Sequence, residues 1–267
     1  MTRSIILLLI LAISNTGFSQ KKEWRNLFNG KDLSGWDTFL GSPQGNKGPK
    51  LGLNNDTIGV FKVEDNTIHV SGEAFGVMAF QEEFENFHVK VDFKWGEKKW
   101  PPRLSLPRDA GLLYFGFGPL GGVENWIASQ ECQIQEGDAG DYWPVGAVTI
   151  DIPSVKTDTS KFWVFRPEAP LQTKFYSKEM AERRVLKYPD NEHPHGKWNT
   201  AEVIAWGDSS IHLINGKVVM RLYNSRRIID GQKVPLKKGK VALQSEGAEL
   251  YYRNVLIKTL KSKPKLF

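Results

Sequence analysis

The chain has 267 residues, 40% of them hydrophobic, and this apolar content excludes a largely disordered protein. Its single cysteine, Cys132, excludes an intrachain disulfide framework and a cysteine-based zinc site. The net charge of +6 is modest and accompanies no nucleic-acid-binding motif, so we expect no nucleic-acid partner.

Residues 1–19 have the pattern of a secretory signal peptide, with Arg3 ahead of an apolar run that extends from Ile5 to Ile13. This run is too short to span a bilayer, and no cysteine follows it closely for lipid attachment. We therefore expect a secreted or periplasmic protein that inserts in no membrane. No linker or internal repeat divides the remainder, so residues 20–267 are predicted to form one domain.

Most of the remaining chain is predicted to form short strands. In chain order, the candidates are 58–63, 66–71, 75–80, 87–95, 111–117, 130–136, 145–152, 162–166, 200–206, 211–214, 218–222, 239–245 and 250–257. The segment 87–95 alternates apolar and polar side chains with a period of two, which is typical of a half-buried antiparallel strand. Asn215-Gly216 separates two candidates and predicts a two-residue hairpin. Strands of this number and length predict an all-β sandwich.

The connections between these strands include three long segments. Residues 177–186 alone have a helical composition, and they lie in a polar stretch, 153–197, that we interpret as an insertion. Two further loops, 41–55 and 97–108, are also long. Long loops on a sandwich either carry function or are disordered, so these segments are candidates for binding surfaces.

Five blocks of sequence, in order, resemble one family of secreted proteins. They are EWRNLFNGKDLSGWDTF at 23–39, RDAGLLYFGFGP at 108–119, SQECQIQEGDAGDYW at 129–143, GKWNTAEVIAWGDSSIHLINGKVV at 196–219, and GKVALQSEGAELYYRNVLIKTL at 239–260. The chain is similar to the 3-keto-disaccharide hydrolase domain family, formerly domain of unknown function 1080. The resemblance implies a concanavalin A-like jelly-roll β-sandwich of two antiparallel sheets with a concave carbohydrate face. It also implies cleavage of glycosides that are already oxidised to a ketone at C3.

The strongest group of candidate catalytic residues lies in the segment 131–136. On a regular strand Glu131, Gln133 and Gln135 share one face, while Cys132 and Ile134 point into the core. This polar row with apolar backing is typical of a strand that lines a solvated groove.

The same segment matches the pattern E-x-D-x-x-E of retaining β-glucanases with a related fold, in which a bulge brings the second glutamate to the face of the first. Glu131 and Glu136 are the two glutamates here, but the central position is Gln133. An amide cannot hold a negative charge or share a proton, so the substitution weakens the ordinary two-carboxylate glycosidase interpretation.

The loop after this segment is rich in carboxylates. Glu136, Asp138 and Asp141 lie within six residues and alternate with glycines, a composition that can wrap a divalent cation such as calcium. The spacing is not that of an EF-hand, and an active-site loop without metal or an ordinary solvated turn are the alternatives. We expect Asp138 and Asp141 as the metal ligands if a cation is bound.

Other residues are candidates for sugar binding. Aromatic rings stack on the C–H faces of sugars, so aromatics beside carboxylates suit a carbohydrate site, although core packing explains each one equally well. Arg108 is placed by the resemblance beside the glutamate strand, where it can bind a keto oxygen or pair with Asp109. The predicted substrate-binding residues are Arg108, Tyr114, Trp126, Trp143 and Glu246.

A ketone at C3 acidifies the proton on C2, so a base can remove it and expel the C1 substituent by elimination. Water can then add back, which gives net hydrolysis. The route needs a base, an electrophile for the developing enolate and an acid. The predicted catalytic residues are Glu131, Gln133, Glu136 and Asp138.

Two alternatives to this activity remain, a conventional β-glycosidase or glucanase and a non-catalytic carbohydrate-binding module. The chain has no phosphate-binding loop and no dinucleotide glycine fingerprint, so no nucleotide cofactor is expected.

Overall fold

The computed structural model describes residues 24–43, 48–157 and 160–267, and the predicted signal peptide at 1–19 lies outside them. The strands are β1 (Arg25–Asn26), β2 (Trp36–Ser42), β3 (Gly52–Leu53), β4 (Phe61–Glu64), β5 (Thr67–Val70), β6 (Ala74–Glu85), β7 (Phe87–Lys99), β8 (Gly111–Phe117), β9 (Ala128–Gln133), β10 (Tyr142–Val145), β11 (Val148–Val155), β12 (Trp163–Phe165), β13 (Leu171–Phe175), β14 (Val185–Leu186), β15 (Asn199–Trp206), β16 (Ser209–Ile214), β17 (Lys217–Ile229), β18 (Gln232–Pro235), β19 (Lys238–Ser245) and β20 (Ala248–Thr259). One short helix, α1 (Met180–Arg183), accompanies these strands in the described ranges.

The strands form two faces of a sandwich. The first sheet has the order β4-β5-β20-β7-β15-β16-β17, with β1 added beside β20. The second has the order β3-β2-β6-β19-β8-β9-β10, and β14, β12 and β11 continue it. The strand pairs are antiparallel apart from β12 with β14, which confirms the predicted jelly-roll sandwich of antiparallel sheets.

The main hydrophobic core lies between the two sheets. In β7 the side chains of Phe87, Val89, Val91, Phe93 and Trp95 are buried, and the intervening side chains are partly exposed. This confirms the predicted half-buried strand, since a period of two places every second residue on the core face. Apolar side chains of β6, β8 and β19 meet this row from the second sheet.

The hairpin between β16 and β17 also has the predicted form. Asn215 and Gly216 have positive φ angles of 51° and 77°, and Ile214 pairs with Lys217 across the turn. Two residues with positive φ match the right-handed twist of the flanking strands, and asparagine and glycine adopt this conformation at the least cost.

The stretch 153–197, which the sequence analysis interpreted as a polar insertion, contains regular secondary structure. It contains β12, β13 and β14 together with α1, and the predicted helix at 177–186 shortens to the single turn Met180–Arg183. The helix ends because Val185 pairs with Tyr142 of β10 and is buried there. Among the described residues, no helix is long and apolar enough to cross a membrane.

Replacing Phe87 by alanine should test the packing between the sheets. Phe87 is fully buried and its ring lies 5.8 Å from that of Phe115. Phe87→Ala should lower the free energy of unfolding by about 3–5 kcal/mol, because it removes apolar contacts and leaves a cavity. Urea denaturation measures this loss. Lys98→Ala, at an exposed position of the same strand, should change it by less than about 0.5 kcal/mol. Equal effects of the two substitutions would contradict this packing.

Candidate active site

A cavity of about 320 Å³ opens on the second sheet, on the face that points away from the main core. Its charged lining consists of Arg103, Asp109, Glu124, Glu131, Arg183, Arg184 and Glu246. Its amide side chains are Gln133, Gln135 and Gln244, and its aromatic lining is Trp126, Trp143 and Tyr176. The volume suits a monosaccharide-sized ligand, within the range of small-molecule sites.

The strand β9 supplies the predicted polar row. Glu131 and Gln133 face the cavity, while Cys132 and Ile134 are buried in the main core. Gln135, just beyond the strand, also faces the cavity and donates from Nε2 to Asp109 Oδ2 at 2.8 Å. Strand pleating thus separates the catalytic candidates from the core.

Gly111 of β8 makes room for this row. It pairs with Gln133 in register, and a Cβ atom at this position would overlap the side-chain oxygens of Glu131 and Gln244. Because no side chain lies between them, the Glu131 carboxyl and the Gln244 amide approach each other across β8. Gly111 is therefore required by close approach, not by its backbone conformation.

Asp109, Glu131 and Glu246 line the cavity together with Arg103. Arg103 Nη2 forms ion pairs with both Asp109 and Glu246. Burial raises the pKa of Asp109, and the Arg103 charge opposes this shift. Burial, followed by the charge of Asp109, raises the pKa of Glu246 to about 8. Both members of this coupled pair therefore hold a proton more tightly than exposed acids do.

Glu131 differs from these two acids in lacking a partner. Only 5% of the residue is exposed, and no described side chain forms a hydrogen bond or ion pair with its carboxyl group. Burial, with a smaller contribution from the charges of Glu246 and Asp109, raises its pKa well above the ordinary value of 4.5. Its carboxylate form is accordingly a stronger base than that of an exposed glutamate.

Several buried polar atoms of the cavity wall have no hydrogen-bond partner among the described residues. They are Asp109 Oδ1, Trp143 Nε1, Arg183 Nε and Gln244 Oε1. Buried polar atoms are nearly always paired in folded proteins. Donors and acceptors left together around one cavity suit a ligand with many hydroxyl groups.

The two predicted tryptophans differ in their surroundings. Trp143 is paired in register with Glu131, is partly exposed and has the Arg183 guanidinium 4.8 Å from its ring centroid. Trp126 is 8% exposed and stacks on Phe75 at 6.0 Å. Trp143 thus offers a ring edge and an N–H group beside the acids, whereas packing holds most of Trp126.

Tyr114 does not lie in the cavity. It is fully buried on the opposite face of β8, where its hydroxyl contacts Ser210 Oγ at 2.8 Å and His212 Nε2 at 3.1 Å. The reason is the strand register: Leu113 pairs with Glu131 and shares its face, so the next residue points into the core. The structure therefore places this predicted substrate-binding residue apart from the site.

Glu136 and Arg108 also lie outside the cavity. They form an ion pair of 3.0 Å with each other, and His195 Nδ1 lies 2.8 Å from the second Glu136 oxygen. Since β9 ends at Gln133 and the chain then turns, no bulge brings Glu136 to the face of Glu131. The predicted pair of catalytic glutamates is not formed.

The carboxylate loop does not fit the predicted cation site. Arg184 Nη2 lies 2.6 Å from an oxygen of Asp138 and 2.6 Å from one of Asp141, and the Lys187 N–H donates to Asp141 at 2.8 Å. Burial raises the pKa of Asp141 to about 6, against the Arg184 charge. A guanidinium between the two carboxylates repels a metal ion. In the described ranges, no group of three or more histidine, cysteine or acidic side chains has the geometry of a metal site.

The sequence analysis did not predict the three arginines that line the cavity, Arg103, Arg183 and Arg184. Arg103 belongs to the long loop 97–108, which the sequence marked as a candidate binding surface without indicating this residue. Arg183 and Arg184 belong to the stretch 153–197. The local sequence does not identify these residues as part of the site. Their positions depend on where each segment crosses the sheet, which the tertiary fold determines.

A jelly-roll sandwich with acids, amides and tryptophans in one cavity defines a carbohydrate-active protein. The family model described as 3-keto-alpha-glucoside-1,2-lyase-like domain matches residues 23–258, and the chain belongs to this family. Among curated proteins, none matches the chain.

Two solved structures of proposed glycosyl hydrolases from Parabacteroides distasonis are similar to the chain. The first is 19% identical, with a TM-score of 0.52, and the alignment covers 89% of this chain and 94% of that one. The second is 17% identical, with a TM-score of 0.50, and the alignment covers 89% and 100%. These similarities show the shared fold.

Substitution of Gly111 should test the close approach of Glu131 and Gln244. Gly111→Ala should lower the free energy of unfolding by about 1–3 kcal/mol, because the new methyl group overlaps both side chains. Thermal unfolding measures this loss. In a Glu131→Ala background the same substitution should cost less, since one of the two overlapping groups is absent. An unchanged cost in that background would show that Glu131 is not the neighbour.

The raised pKa of Glu246 predicts a pH-dependent stability. The folded protein holds this proton more tightly than the unfolded chain, so the stabilising contribution is complete below about pH 4.5 and is lost as the pH rises through about 8. Glu246→Gln cannot lose a proton, so its melting temperature relative to the wild type should rise between pH 5 and 8.5. Glu168→Gln, at an exposed site, should show no such trend. A difference that is constant with pH would contradict the raised pKa.

Proposed function

We propose that the protein is an exported enzyme that cleaves glycosides whose sugar carries a ketone at C3. The observation that carries this proposal is Glu131, a buried and unpartnered carboxyl with a raised pKa, facing the acids that Arg103 pairs. Membership of the 3-keto-alpha-glucoside-1,2-lyase-like family supports the substrate class. Export rests on the signal pattern of residues 1–19.

The reaction begins with the transfer of the C2 proton to the Glu131 carboxylate. The C2–H bond breaks, its electron pair moves into the enolate, and negative charge develops on the C3 oxygen. The bond from C1 to the leaving oxygen then breaks as a C1–C2 double bond forms and the ketone returns. The protonated Glu131 supplies the proton that the leaving oxygen needs. Water adds to C1 in the second stage and completes the hydrolysis.

The same residue can perform both proton transfers because its pKa is raised. A carboxyl whose pKa lies nearer to that of the reacting groups transfers protons in both directions more readily than an ordinary glutamate. Because Glu131 lines the cavity and forms no ion pair, its carboxyl group can contact the substrate. Gln133, whose Oε1 accepts from the Ile134 N–H at 2.9 Å, keeps its amide N–H groups for substrate hydroxyls.

Arg103 and Glu246 are the proposed donors to the enolate oxygen. Arg103 is positively charged, and Glu246 is protonated below about pH 8, so both can donate hydrogen bonds to developing negative charge. A neutral carboxylic acid retained at pH 7 for this purpose is a known catalytic device. Asp109 holds Arg103 in place from the other side.

The geometry gives less support to a conventional two-carboxylate glycosidase. Its mechanism needs two carboxyl groups on either side of the glycosidic bond, one of them free to act as nucleophile or base. Glu136 is outside the cavity, and Asp109 and Glu246 are both bound to Arg103. The remaining acid of the lining, Glu124, is exposed to solvent, unlike the buried Glu131.

Mass spectrometry of matched glucosides tests the activity. The mature protein is incubated with a plain glucoside and with its 3-keto derivative under the same conditions. Cleavage of the keto sugar alone supports the proposal, and a sugar product that is one water lighter identifies the elimination stage. Cleavage of the plain sugar would establish a conventional glycosidase. Binding without any cleavage would establish a carbohydrate-binding module.

Replacement of Glu131 tests the proposed proton transfer. Glu131→Gln should lower kcat on the 3-keto glucoside by about 10²–10⁴-fold, because the amide cannot accept the C2 proton. Its melting temperature at pH 7 should be equal to or above that of the wild type, since a buried acid becomes a neutral group of the same shape. The control Glu136→Gln, outside the cavity, should retain activity. Equal losses in both variants would remove Glu131 from the mechanism.

A further inference from the structure

A second cavity of about 550 Å³ adjoins the first, and Val123 and Tyr176 line both. We propose that this second cavity binds an apolar leaving group, such as an alkyl or aryl alcohol, attached to the sugar in the first cavity. This inference rests on the proposed function and specifies its substrate class. It assigns the enzyme to glycosides of apolar alcohols and not to disaccharides.

The lining of the second cavity differs chemically from that of the first. Its side chains come mainly from β11, β13 and the turns beside them: Val123, Ala147, Val148, Thr149, Thr173, Phe175, Tyr176, Ile228 and Lys233. No acid is among them, and Lys233 is the one charged member in the described part of the chain. A second sugar would leave most of its hydroxyl groups without partners here, at a cost of about 1–3 kcal/mol for each buried unpaired group.

Two large aromatic side chains of this wall are unusually exposed. Phe175 is 49% exposed and Tyr176 is 43% exposed, and they are adjacent at the end of β13. Neighbouring exposed apolar groups at the rim of a cavity mark a binding surface more often than isolated ones do. An apolar group in the cavity would cover both rings and remove their apolar surface from water.

A contact through Arg183 connects this wall with the acids. The Arg183 guanidinium lies 5.2 Å from the ring centroid of Tyr176 and 4.8 Å from that of Trp143, and Trp143 is the register partner of Glu131. Tyr176 is thus held at the junction of the two cavities. A leaving group attached at C1 of a sugar beside Glu131 would pass this junction and enter the apolar cavity.

The test compares two 3-keto glucosides that differ only in the size of an alkyl leaving group, methyl and cyclohexylmethyl, so that leaving-group acidity is similar. Wild-type kcat/KM should be about ten-fold higher for the cyclohexylmethyl substrate, which corresponds to about 1.4 kcal/mol. Phe175→Asp should remove most of this preference, because a charged side chain replaces part of the apolar wall. Equal kcat/KM for the two substrates in the wild type would overturn the proposal.

Leu171→Asp is the matched control. Leu171 lies on the same strand and is 52% exposed, but it does not line the cavity. It should preserve the preference for cyclohexylmethyl. An equal loss in both variants would assign the effect to charge on β13 and overturn the proposal.

Binding of free cyclohexylmethanol, followed by saturation-transfer NMR, separates this inference from the proposed activity. Binding that Phe175→Asp weakens, without cleavage of any keto glucoside, would support the apolar cavity and refute the reaction. Absence of binding together with cleavage of the keto glucosides would refute the apolar cavity and retain the reaction.

Discussion

The double ion pair of Arg103 determines the chemistry of the cavity. Asp109 is buried and Glu246 is mostly buried in the cavity, and two such acids without a cation would be strongly destabilising. Removing one partner of a buried pair generally costs about 3–5 kcal/mol, because the remaining charge loses its compensation. One guanidinium serves two carboxyl groups here, so the cluster keeps an excess of acid. Burial, with a smaller contribution from the negative charges of Glu246 and Asp109, raises the pKa of Glu131.

The pleat of the second sheet makes such a cluster compatible with a stable fold. Residues on alternate sides of β9 serve separate purposes, since Cys132 packs in the main core while Glu131 and Gln133 face the cavity. The two sides meet only through the backbone, which the neighbouring strands satisfy by hydrogen bonds. Gly111 completes the arrangement, because its missing side chain provides the space that the polar row needs.

The fold and one side of the cavity could be predicted from local patterns. The alternation in β7 and in the segment 131–134 specifies which side chains share a face, and Asn215-Gly216 specifies a turn. Strand register and loop placement are not local properties. The sequence predicts Tyr114 in the site, but the structure turns its side chain into the core. This orientation follows from its pairing with Gln130, which depends on how β8 aligns with β9. The partner of Asp138 and Asp141 is 43 residues beyond Asp141 in the chain, and nothing near the two acids identifies Arg184.

The segment around α1 has a consequence for how this cavity can change in evolution. Arg183, Arg184 and Tyr176 all line the cavity, and of these Arg184 is anchored by its ion pair with Asp141. The acids come from other parts of the chain, on or beside β8, β9 and β19. Substitutions in this short segment can therefore alter which ligands fit while the anchor and the main core stay intact. Retention of the buried acid Glu131 and diversification of ligand preference are thus physically separable in this fold.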